Sequence, residues 1–429
     1  MAVRCVRGGV HRGGGLLLEA RRQRKQTLQR RTHLGQAGVV AVGVVGRVVD
    51  AEKIQLARSA DQRLVQHFQS LVQADVRSHL ATAAASARPF SERLVMFWAN
   101  HFTVAGTKAA TLGMVAPFEN EAIRPHATGR FATLLRAATV HPGMLLYLDN
   151  AQSIGPQSRQ GLRRGRGLNE NLARELLELH TVGVRAGYTQ TDVRELARLL
   201  TGWTVGNEQR PAPGFVAALH EPGVKQVMGR SYREGPQALD EVLTDLARHP
   251  ATAEHLAHKL VQHFVADEPP AALTKAVARR YQDTDGDLLQ VADALFGHEQ
   301  AWAWHPPGKV RRPEELMLSA HRLLQMPMGR PERALAELTA MGQAVGRAPS
   351  PQGWPDRHDD WLGPDALLKR VEWAMSMGRS ASNLADARQL ADLAWGPALS
   401  TDTRQQIARA ESGAQALTLL LASPEFQRR

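Results

Sequence analysis

The sequence predicts an all-α fold, a large multi-helix body with long irregular loops and one small β-hairpin near residues 214–230. Apolar residues recur at steps of three and four along most of the chain, which keeps them on one face of a helix. Hydrophobic residues make up 43% and aromatic residues 5% of the 429, as in soluble proteins whose core is built from Leu, Ala and Val. No segment repeats at a fixed period, so stacked repeats are not predicted.

Residues 1–50 form a basic leader that differs from the rest in composition. The chain carries 53 Lys and Arg against 42 Asp and Glu, a net charge of +11, and the excess is concentrated in this leader. Arg30 and Arg31 precede a Gly- and Val-rich stretch, the order of parts found in a twin-arginine export signal. Arg47 interrupts the apolar stretch, and no Ala-x-Ala cleavage site follows promptly. A poorly ordered leader and an export signal both stay open, so the protein is either cytoplasmic or exported.

Residues 51–205 are predicted to form an N-terminal helical lobe. Apolar side chains recur at helical steps from residue 51 until Pro89, after which Ser91 opens a second helix that runs through Phe102. Two helices broken around Pro142 follow, and then a Gly- and Arg-rich loop.

The last part of this lobe is predicted to be a short helical hairpin. Its first helix begins at Asn169 or Glu170 and ends near Gly183. Its second helix begins in the sequence TQTD, where either threonine is a suitable cap, and carries an apolar stripe of leucines.

Residues 206–235 form an irregular segment, rich in Gly and Pro, that contains most of the predicted hairpin. Residues 236–429 are predicted to form a C-terminal helical lobe. A proline-rich stretch at residues 304–313 and a later loop containing GWP interrupt its helices.

Charge and cysteine content exclude several classes of protein. A nucleic-acid partner is not predicted, because the positive excess lies in the leader and leaves the remainder near neutral. Cys5 is the only cysteine, so one chain contains neither a disulfide nor a thiolate metal cluster. No stretch reaches the roughly 18 to 20 uninterrupted apolar residues that a membrane-spanning helix needs, so no transmembrane span is predicted.

The sequence NENLARELLELH concentrates paired polar groups on one predicted helix. Helical steps place an Asn, an Arg and two Glu on one stripe, with Arg174 four residues from a carboxylate on either side. His180 lies in the last turn, where it meets the negative end of the helix dipole and is placed to accept a proton. The candidate catalytic residues here are Glu175, Glu178 and His180, and the candidate ligand-binding residues are Asn169, Asn171 and Arg174.

Two further segments present polar groups from apolar helices. In FWANHF, Asn100 and His101 follow an aromatic wall. In HPGMLLYLDN, Asp149 and Asn150 end an apolar helix. Such side chains are usual in the lining of a polar pocket, so we predict a pocket between these segments and the helix that begins at Asn169. The added candidates are His101 as a catalytic residue and Asn100, Asp149 and Asn150 as ligand-binding residues.

Three interpretations of these residues stay open. A divalent metal would use imidazole and carboxylate ligands, namely His101, Glu175, Glu178 and His180. His180 lies two residues after Glu178, however, off the face that the Glu-x-x-His spacing of diiron bundles requires. A metal-free pocket would use the same groups to bind or convert a ligand, and a structural ion network would use them only to join helices. The sequence identifies no particular metal or cofactor.

The same segments carry a resemblance to a known family. The chain resembles the bacterial family known as domain of unknown function 1800 from about Pro89 to Arg429. The matching segments are FWANHF, RPHATGRFATLL, HPGMLLYLDN, the predicted helical hairpin, HEPGVKQVMG, HPATAEHLAHKLVQHFVAD, DTDGDL, GWP and LLLASPEFQ. The resemblance implies an α-helical protein. Many members resemble exported proteins encoded beside a second uncharacterised partner, and the resemblance assigns no catalytic or binding residue.

Two functions from different classes follow. The first is a helical protein with a polar pocket for a small ligand or a divalent metal, with hydrolysis as the reaction class. A His would be its base or ligand, the two Glu its carboxylate partners, and Arg174 its anion-binding group. The second is a non-enzymatic partner or assembly factor for another envelope protein, contacted through the loop between Gly155 and Gly167. The sequence does not decide whether the protein is an enzyme.

Overall fold

The computed structural model describes residues 70–164, 167–206, 212–303 and 308–429. The predictions for the basic leader, residues 1–50, therefore lie outside the described residues. Within the described part, helices alternate with loops and only two small sheets occur, which confirms the all-α prediction.

The first half of the described chain is a series of helices connected by loops. Helix α1 covers residues 70–85. It is followed by α2 Pro89–His101, α3 Val115–Phe118, α4 Phe131–Val140, α5 Pro142–Tyr147, α6 Gly161–Arg164, α7 Asn171–Glu175 and α8 Gln190–Leu200. Helices α3 and α7 continue into π-helical turns, Glu119–Ile123 and Leu176–His180. Helices α2 and α5 begin at a proline, because a first helical residue has no intrahelical use for its N–H.

The second half is also helical. Its helices are α9 Gln237–Arg248, α10 Pro250–Phe264, α11 Ala271–Asp283, α12 Leu288–Phe296, α13 Pro313–Leu323, α14 Pro331–Ala340, α15 Pro364–Ala381, α16 Ala387–Ala394, α17 Thr401–Ala408, α18 Gly413–Ala422 and α19 Pro424–Gln427. None of the described helices combines the length and the apolar character needed to cross a bilayer.

Two antiparallel strand pairs lie between α8 and α9. They are β1 Trp203–Thr204 with β2 Gly214–Phe215, and β3 Lys225–Val227 with β4 Arg230–Tyr232. Val227 pairs with Arg230, so Met228 and Gly229 form a two-residue turn. Their φ angles are 46° and 79°, both positive as a type I′ hairpin turn requires. The predicted small hairpin is confirmed, and β4 runs two residues past its predicted end.

Residues 68–429 form one compact unit that contains two hydrophobic cores. The first core is built from α2 through α12, and the second joins α1 and part of α2 to helices α13 to α19. Helix α2 contributes to both, because Met96 packs in the second core while Phe97 and Trp98 pack in the first. The division into lobes on either side of residues 206–235 stays a prediction.

The helical hairpin consists of α7 with its π-helical turn and α8, which pack against each other. Helix α8 begins after Thr189, whose Oγ1 accepts the N–H of Asp192 at 3.2 Å. The Asp192 carboxylate accepts the Thr189 N–H at 2.7 Å in return. This reciprocal cap satisfies two N–H groups that a helix start leaves unpaired, and it selects Thr189 from the two predicted caps.

Candidate functional site

The predicted polar stripe on α7 is paired but half-exposed. We call Glu170, Arg174, Glu175 and Glu178 the Arg174 strip. The Arg174 guanidinium lies 3.4 Å from a carboxylate oxygen of Glu170 and 3.4 Å from one of Glu178. It also donates to Oε1 of Gln190 on α8 at 3.0 Å, and its side chain is 38% exposed. The strip therefore joins the two helices of the hairpin at the surface.

Glu175 is the member of the strip with a perturbed acidity. Burial, together with the negative charge of Glu178, raises its pKa above the ordinary value. Arg174 acts in the opposite direction. Glu175 is therefore protonated at a higher pH than an ordinary glutamate.

Asn169 and Asn171 occupy the start of α7. Asn169 Oδ1 accepts the N–H of Asn171 at 2.9 Å, and the Asn169 N–H donates to Oγ of Ser153 at 3.0 Å. The Asn171 side chain is exposed. The Asn169 side chain thus satisfies one backbone N–H at the start of the helix.

Asp149 and Asn150 end the α5 segment and hold neighbouring backbone. Asp149 has a φ of 60° and pairs with Nζ of Lys108 at 2.7 Å. Asn150 is 1% exposed, and its Nδ2 donates to the carbonyl oxygens of Leu200 at 3.2 Å and Trp203 at 2.9 Å. Its Oδ1 has no hydrogen-bond partner among the described residues. Asn150 therefore connects α5 to the end of α8.

The two predicted catalytic histidines meet inside the first core. The His101 Nε2 donates to the carbonyl oxygen of His180 at 3.2 Å, and the ring centroids are 6.0 Å apart. The His255 ring lies 6.4 Å from that of His101. We call His101, His180 and His255 the imidazole cluster. In the described part of the chain, His101 Nδ1 and His180 Nε2 have no hydrogen-bond partner, although both residues are 1% exposed.

The imidazole cluster is neutral at physiological pH. Burial, and then the charge of nearby Lys259, lowers the pKa of His180 to about 3 and that of His255 to about 4, and lowers that of His101 well below its usual range. A Cβ at Gly183 would lie 2.9 Å from Nδ1 of His255, so this close approach requires glycine. A neutral imidazole with a free nitrogen is able to accept a proton or ligate a metal. The described side chains nevertheless include no group of three or more His, Cys, Asp or Glu placed to hold a metal ion.

Asn100 binds a different part of the molecule from its neighbour His101. Its Nδ2 donates to the carbonyl oxygen of Trp354 at 2.9 Å, and its Oδ1 accepts the Trp354 N–H at 2.8 Å. Gly353 has a φ of 84°, and a Cβ there would lie 2.5 Å from the carbonyl oxygen of Asn100. The amide thus binds the GWP loop as a neighbouring strand would.

Asn100 also lines a cavity of about 150 Å³, which we call the first cavity. It is partly open to solvent and is bounded mainly by α1, α2, α3, the segment 343–348 and the loop that contains Trp354. Most of its wall is apolar, with Val72, Val76, Met96, Val104, Val115 and Trp354 among the lining residues. Nine other lining residues carry polar or charged side chains, so the cavity combines a mainly apolar wall with groups that could orient a small molecule.

One wall of the first cavity carries a charged group that sequence reasoning missed. We call His79, Glu119 and Glu314 the His79 cluster. His79 Nδ1 lies 3.0 Å from a carboxylate oxygen of Glu119, and its Nε2 lies 2.6 Å from one of Glu314. Burial opposes the charge, but the two carboxylates prevail and raise the pKa of His79 well above its ordinary value. The partners are 40 and 235 residues away from His79, so no local spacing could have indicated them.

A second missed group surrounds α13. We call His263, Arg312, Glu315, Asp356 and Arg429 the Glu315 network. Glu315 forms an ion pair with Arg429, and His263 Nδ1 lies 2.7 Å from Asp356 Oδ1. The Arg312 guanidinium lies 3.9 Å from a carboxylate oxygen of each acid. These cations hold the pKa of both carboxyls well below the usual range against the effect of burial. The one sequence signal was the position of Asp356 directly after GWP.

The predicted site residues therefore separate into three places. The structure brings His101 and His180 together, and it brings Arg174 together with Glu170 and Glu178. The side chains of Asn100, Asp149, Asn150 and Asn169 bind backbone or a single ion at other positions, and the Asn171 side chain is exposed.

Comparisons with known proteins place the chain in a family. No curated protein and no solved structure matches it. The family model described as "Protein of unknown function (DUF1800)" matches residues 16–428, nearly the whole chain. The chain therefore belongs to the DUF1800 family.

Proposed function

We propose that this protein binds a small, mainly apolar molecule in the first cavity. The main support for this proposal is the mostly apolar wall of a cavity of about 150 Å³ that is also lined by a few charged side chains. A cavity of roughly this size in another protein accommodates benzene, so the expected ligand is on the scale of one aromatic ring.

The charged residues that line the cavity favour a ligand with a hydrogen-bond donor. Asp75 lines the cavity one helical turn before His79 and has no hydrogen-bond or ion-pair partner among the described residues. Burial raises its pKa above the ordinary value. Arg312 also lines the cavity, but Glu315 and Asp356 already lie near its charge. A hydroxyl or ammonium group on the ligand would supply the donor that Asp75 lacks.

The His79 cluster supports binding more than hydrolysis at this position. Both ring nitrogens of His79 are engaged by carboxylates, and the raised pKa keeps the ring protonated at neutral pH. A general base needs a free nitrogen near the operating pH. His79 therefore orients Glu119 and Glu314 toward the ligand and takes no proton from it.

Calorimetric titration with three probes of similar size tests this function. Benzyl alcohol and benzylamine are expected to bind the full-length protein, and benzoate to bind about tenfold more weakly or not at all, because Asp75 is a lining carboxylate that has no partner among the described residues. Ala116→Leu, which fills the cavity from α3, should abolish binding of both donors. Ala272→Leu, on the exposed face of α11, is the matched control and should bind as wild type. Equal binding by both variants would place the probes elsewhere and refute the proposal.

The imidazole cluster is a second candidate place for chemistry, as the sequence predicted. The observation in its favour is the pair of buried, neutral and unpartnered nitrogens on His101 and His180. If this cluster is a ligand site, His101→Ala and His180→Ala should each remove binding while the helical circular-dichroism signal persists. Loss of helical signal in both variants would assign them a structural role.

We propose as an alternative that the segment between Gly155 and Gly167 binds a protein partner. The predicted loop contains the short helix α6, in which Leu162 is 69% exposed and is followed by the basic Arg163. An apolar side chain beside positive charge suits an acidic partner surface. Pull-down with the wild type should recover the partner, and replacement of Leu162 by Asp should release it. Unchanged recovery with that variant would exclude this loop.

A further inference from the structure

A second cavity, of about 190 Å³, lies on the other side of Met96 from the first. Four arginines line it, Arg93, Arg311, Arg322 and Arg429. We propose that this second cavity binds a phosphate group, either as inorganic phosphate or as the head of a small phosphate monoester. The site is separate from the first cavity, so it does not depend on the function proposed above.

Arg93 supplies the donors that best indicate a ligand. Its guanidinium makes no hydrogen bond with any described residue and lies over the ring of Phe264, 5.0 Å from the centroid. Its Nη2 is buried without a partner. Nε of Arg429 is also buried and unpartnered, although the other two nitrogens of that guanidinium bind Glu315 and the carbonyl oxygen of His263. Buried N–H groups without acceptors cost free energy, and an oxyanion would satisfy them.

Arg311 and Arg322 are fixed in place by contacts that use only one nitrogen each. Nη1 of Arg311 donates to the carbonyl oxygens of Phe426 and Arg428. Nη1 of Arg322 donates to the carbonyl oxygens of Ala84 and Ser86, each at 2.9 Å. The remaining nitrogens of both side chains have no partner among the described residues. Both guanidinium groups are therefore oriented in advance and keep donors free, as bidentate recognition of an oxyanion requires.

The charges around the second cavity do not balance. Its two acids are already paired, Glu92 with Arg124 at 2.8 Å and Glu315 with Arg429. Burial, and then the charge of Arg429, lowers the pKa of Arg93 to about 9 and that of Arg311 to about 10. Unpaired buried cations are costly, so an anion with two charges would relieve repulsion that the protein alone leaves in place.

Phosphate fits this cavity better than a single carboxylate. Guanidinium groups recognise phosphate oxygens in pairs, and several arginines converge on one centre only when the ligand offers several oxygens. The volume of about 190 Å³ exceeds that of the phosphate group itself, and Ala83, Met96 and Leu318 supply an apolar remainder of the wall. That remainder is suited to the organic part of a monoester.

Binding is measured by calorimetry on the full-length protein at pH 7.5 and constant ionic strength. Inorganic phosphate and phenyl phosphate are the probes, and chloride is the blank. We expect saturable binding of a phosphate probe, with an affinity about tenfold lower in Arg93→Gln, the loss of one charge-assisted contact. Arg93→Lys, which keeps the charge and loses the paired donors, should bind more weakly than wild type and more tightly than Arg93→Gln. Tighter binding of phenyl phosphate than of inorganic phosphate would identify a monoester as the ligand, and the reverse would identify free phosphate.

The matched control is Arg279→Gln, because that side chain is 83% exposed and lies on α11, away from the cavity lining. It should bind phosphate as the wild type does. A thermal melt without phosphate separates binding from folding, since Arg93→Gln removes a repelled cation and should melt no lower than wild type. Absence of saturable phosphate binding, equal binding by Arg93→Gln and wild type, or a lower melting temperature of Arg93→Gln with no phosphate effect would each overturn the proposal.

Discussion

The Arg174 strip and the Glu315 network are built from the same ions in opposite settings. In the strip, Arg174 is 38% exposed and reaches its carboxylates at 3.4 Å within one helix. In the network, Glu315 is 8% exposed and its partners come from α10, from the residue just before α13 and from the end of the chain. When one ion of the exposed strip is removed, water solvates the charge that remains. When one ion of the buried network is removed, the remaining charge stays unpaired in the protein interior, which costs free energy of folding. We therefore expect the ion pairs that are evident in the sequence to contribute less to stability than the buried pairs that only the fold assembles.

The largest expected effect is in the network. Glu315→Gln removes the negative charge between Arg312 and Arg429 while keeping the shape, and leaves buried cations unpaired. We expect a loss of about 3 to 5 kcal/mol in the free energy of unfolding, measured by urea denaturation at pH 7. Glu178→Gln in the strip is the matched control and should cost less than about 1 kcal/mol. Similar costs for the two variants would break the comparison.

A smaller effect is expected in the His79 cluster, where the pH dependence has a distinctive sign. The folded pKa of His79 is raised above its unfolded value, so its stabilisation is fully present below about pH 6.5 and is lost as pH rises through the folded pKa. His79→Gln should therefore lose roughly 2 to 3 kcal/mol at pH 6, and progressively less in alkaline buffer. Denaturation curves of both proteins from pH 6 to 10 measure this, and a cost that grows with pH would contradict it.

The imidazole cluster should show the opposite sign. The folded pKa of His180 is about 3, so the unfolded chain takes up a proton that the folded protein refuses when pH falls below about 6.5. His180 alone should then destabilise the fold by about 2 kcal/mol at pH 5, since each pH unit below the unfolded pKa costs about 1.4 kcal/mol. His101, His255 and Lys259 face the same ring, and none of them is a carboxylate that would offset the effect. His180→Gln should flatten the stability profile between pH 6.5 and 5, and an unchanged slope would show that His180 is charged in the folded state.

The smallest effect is expected for Arg174→Ala. Because its ion pairs are long and open to water, we expect a loss of less than about 1 kcal/mol, decreasing further at high salt. Urea denaturation at low and at high sodium chloride measures it. A cost above about 2 kcal/mol would show that the strip is buried by something absent from the isolated chain and would reverse its place in the comparison.

Local rules explain which parts of the molecule the sequence could predict. The cap at Thr189, the presence of a small hairpin and the i,i+4 pairs of Arg174 depend on residues a few positions apart. The helix predicted to open at Ser91 begins two residues earlier, at Pro89, because proline is well suited to a first helical position. The sequence predicted that His101 and His180 line one pocket, and the structure places the His101 ring against the carbonyl oxygen of His180, while a shared ligand pocket stays a prediction.

The cavities could not be predicted in the same way. The first cavity is lined from Val72 to Trp354, and the second from Ala83 to Arg429, so their walls meet only after the chain has folded. His79 looks in the sequence like any polar residue on an amphipathic helix. Its partners become visible only in three dimensions, because side-chain identity carries no information about a contact 235 residues away.

The pairing between Asn100 and Trp354 has a consequence for the order in which the molecule is completed. When α2 is synthesised, the backbone that pairs with the side-chain amide of Asn100 does not yet exist, because Trp354 follows 254 residues later. Contacts of such separation close late in folding. A nascent chain that ends before Trp354 therefore lacks part of the wall of the first cavity. A ligand of that cavity would stabilise only chains whose synthesis has passed Trp354.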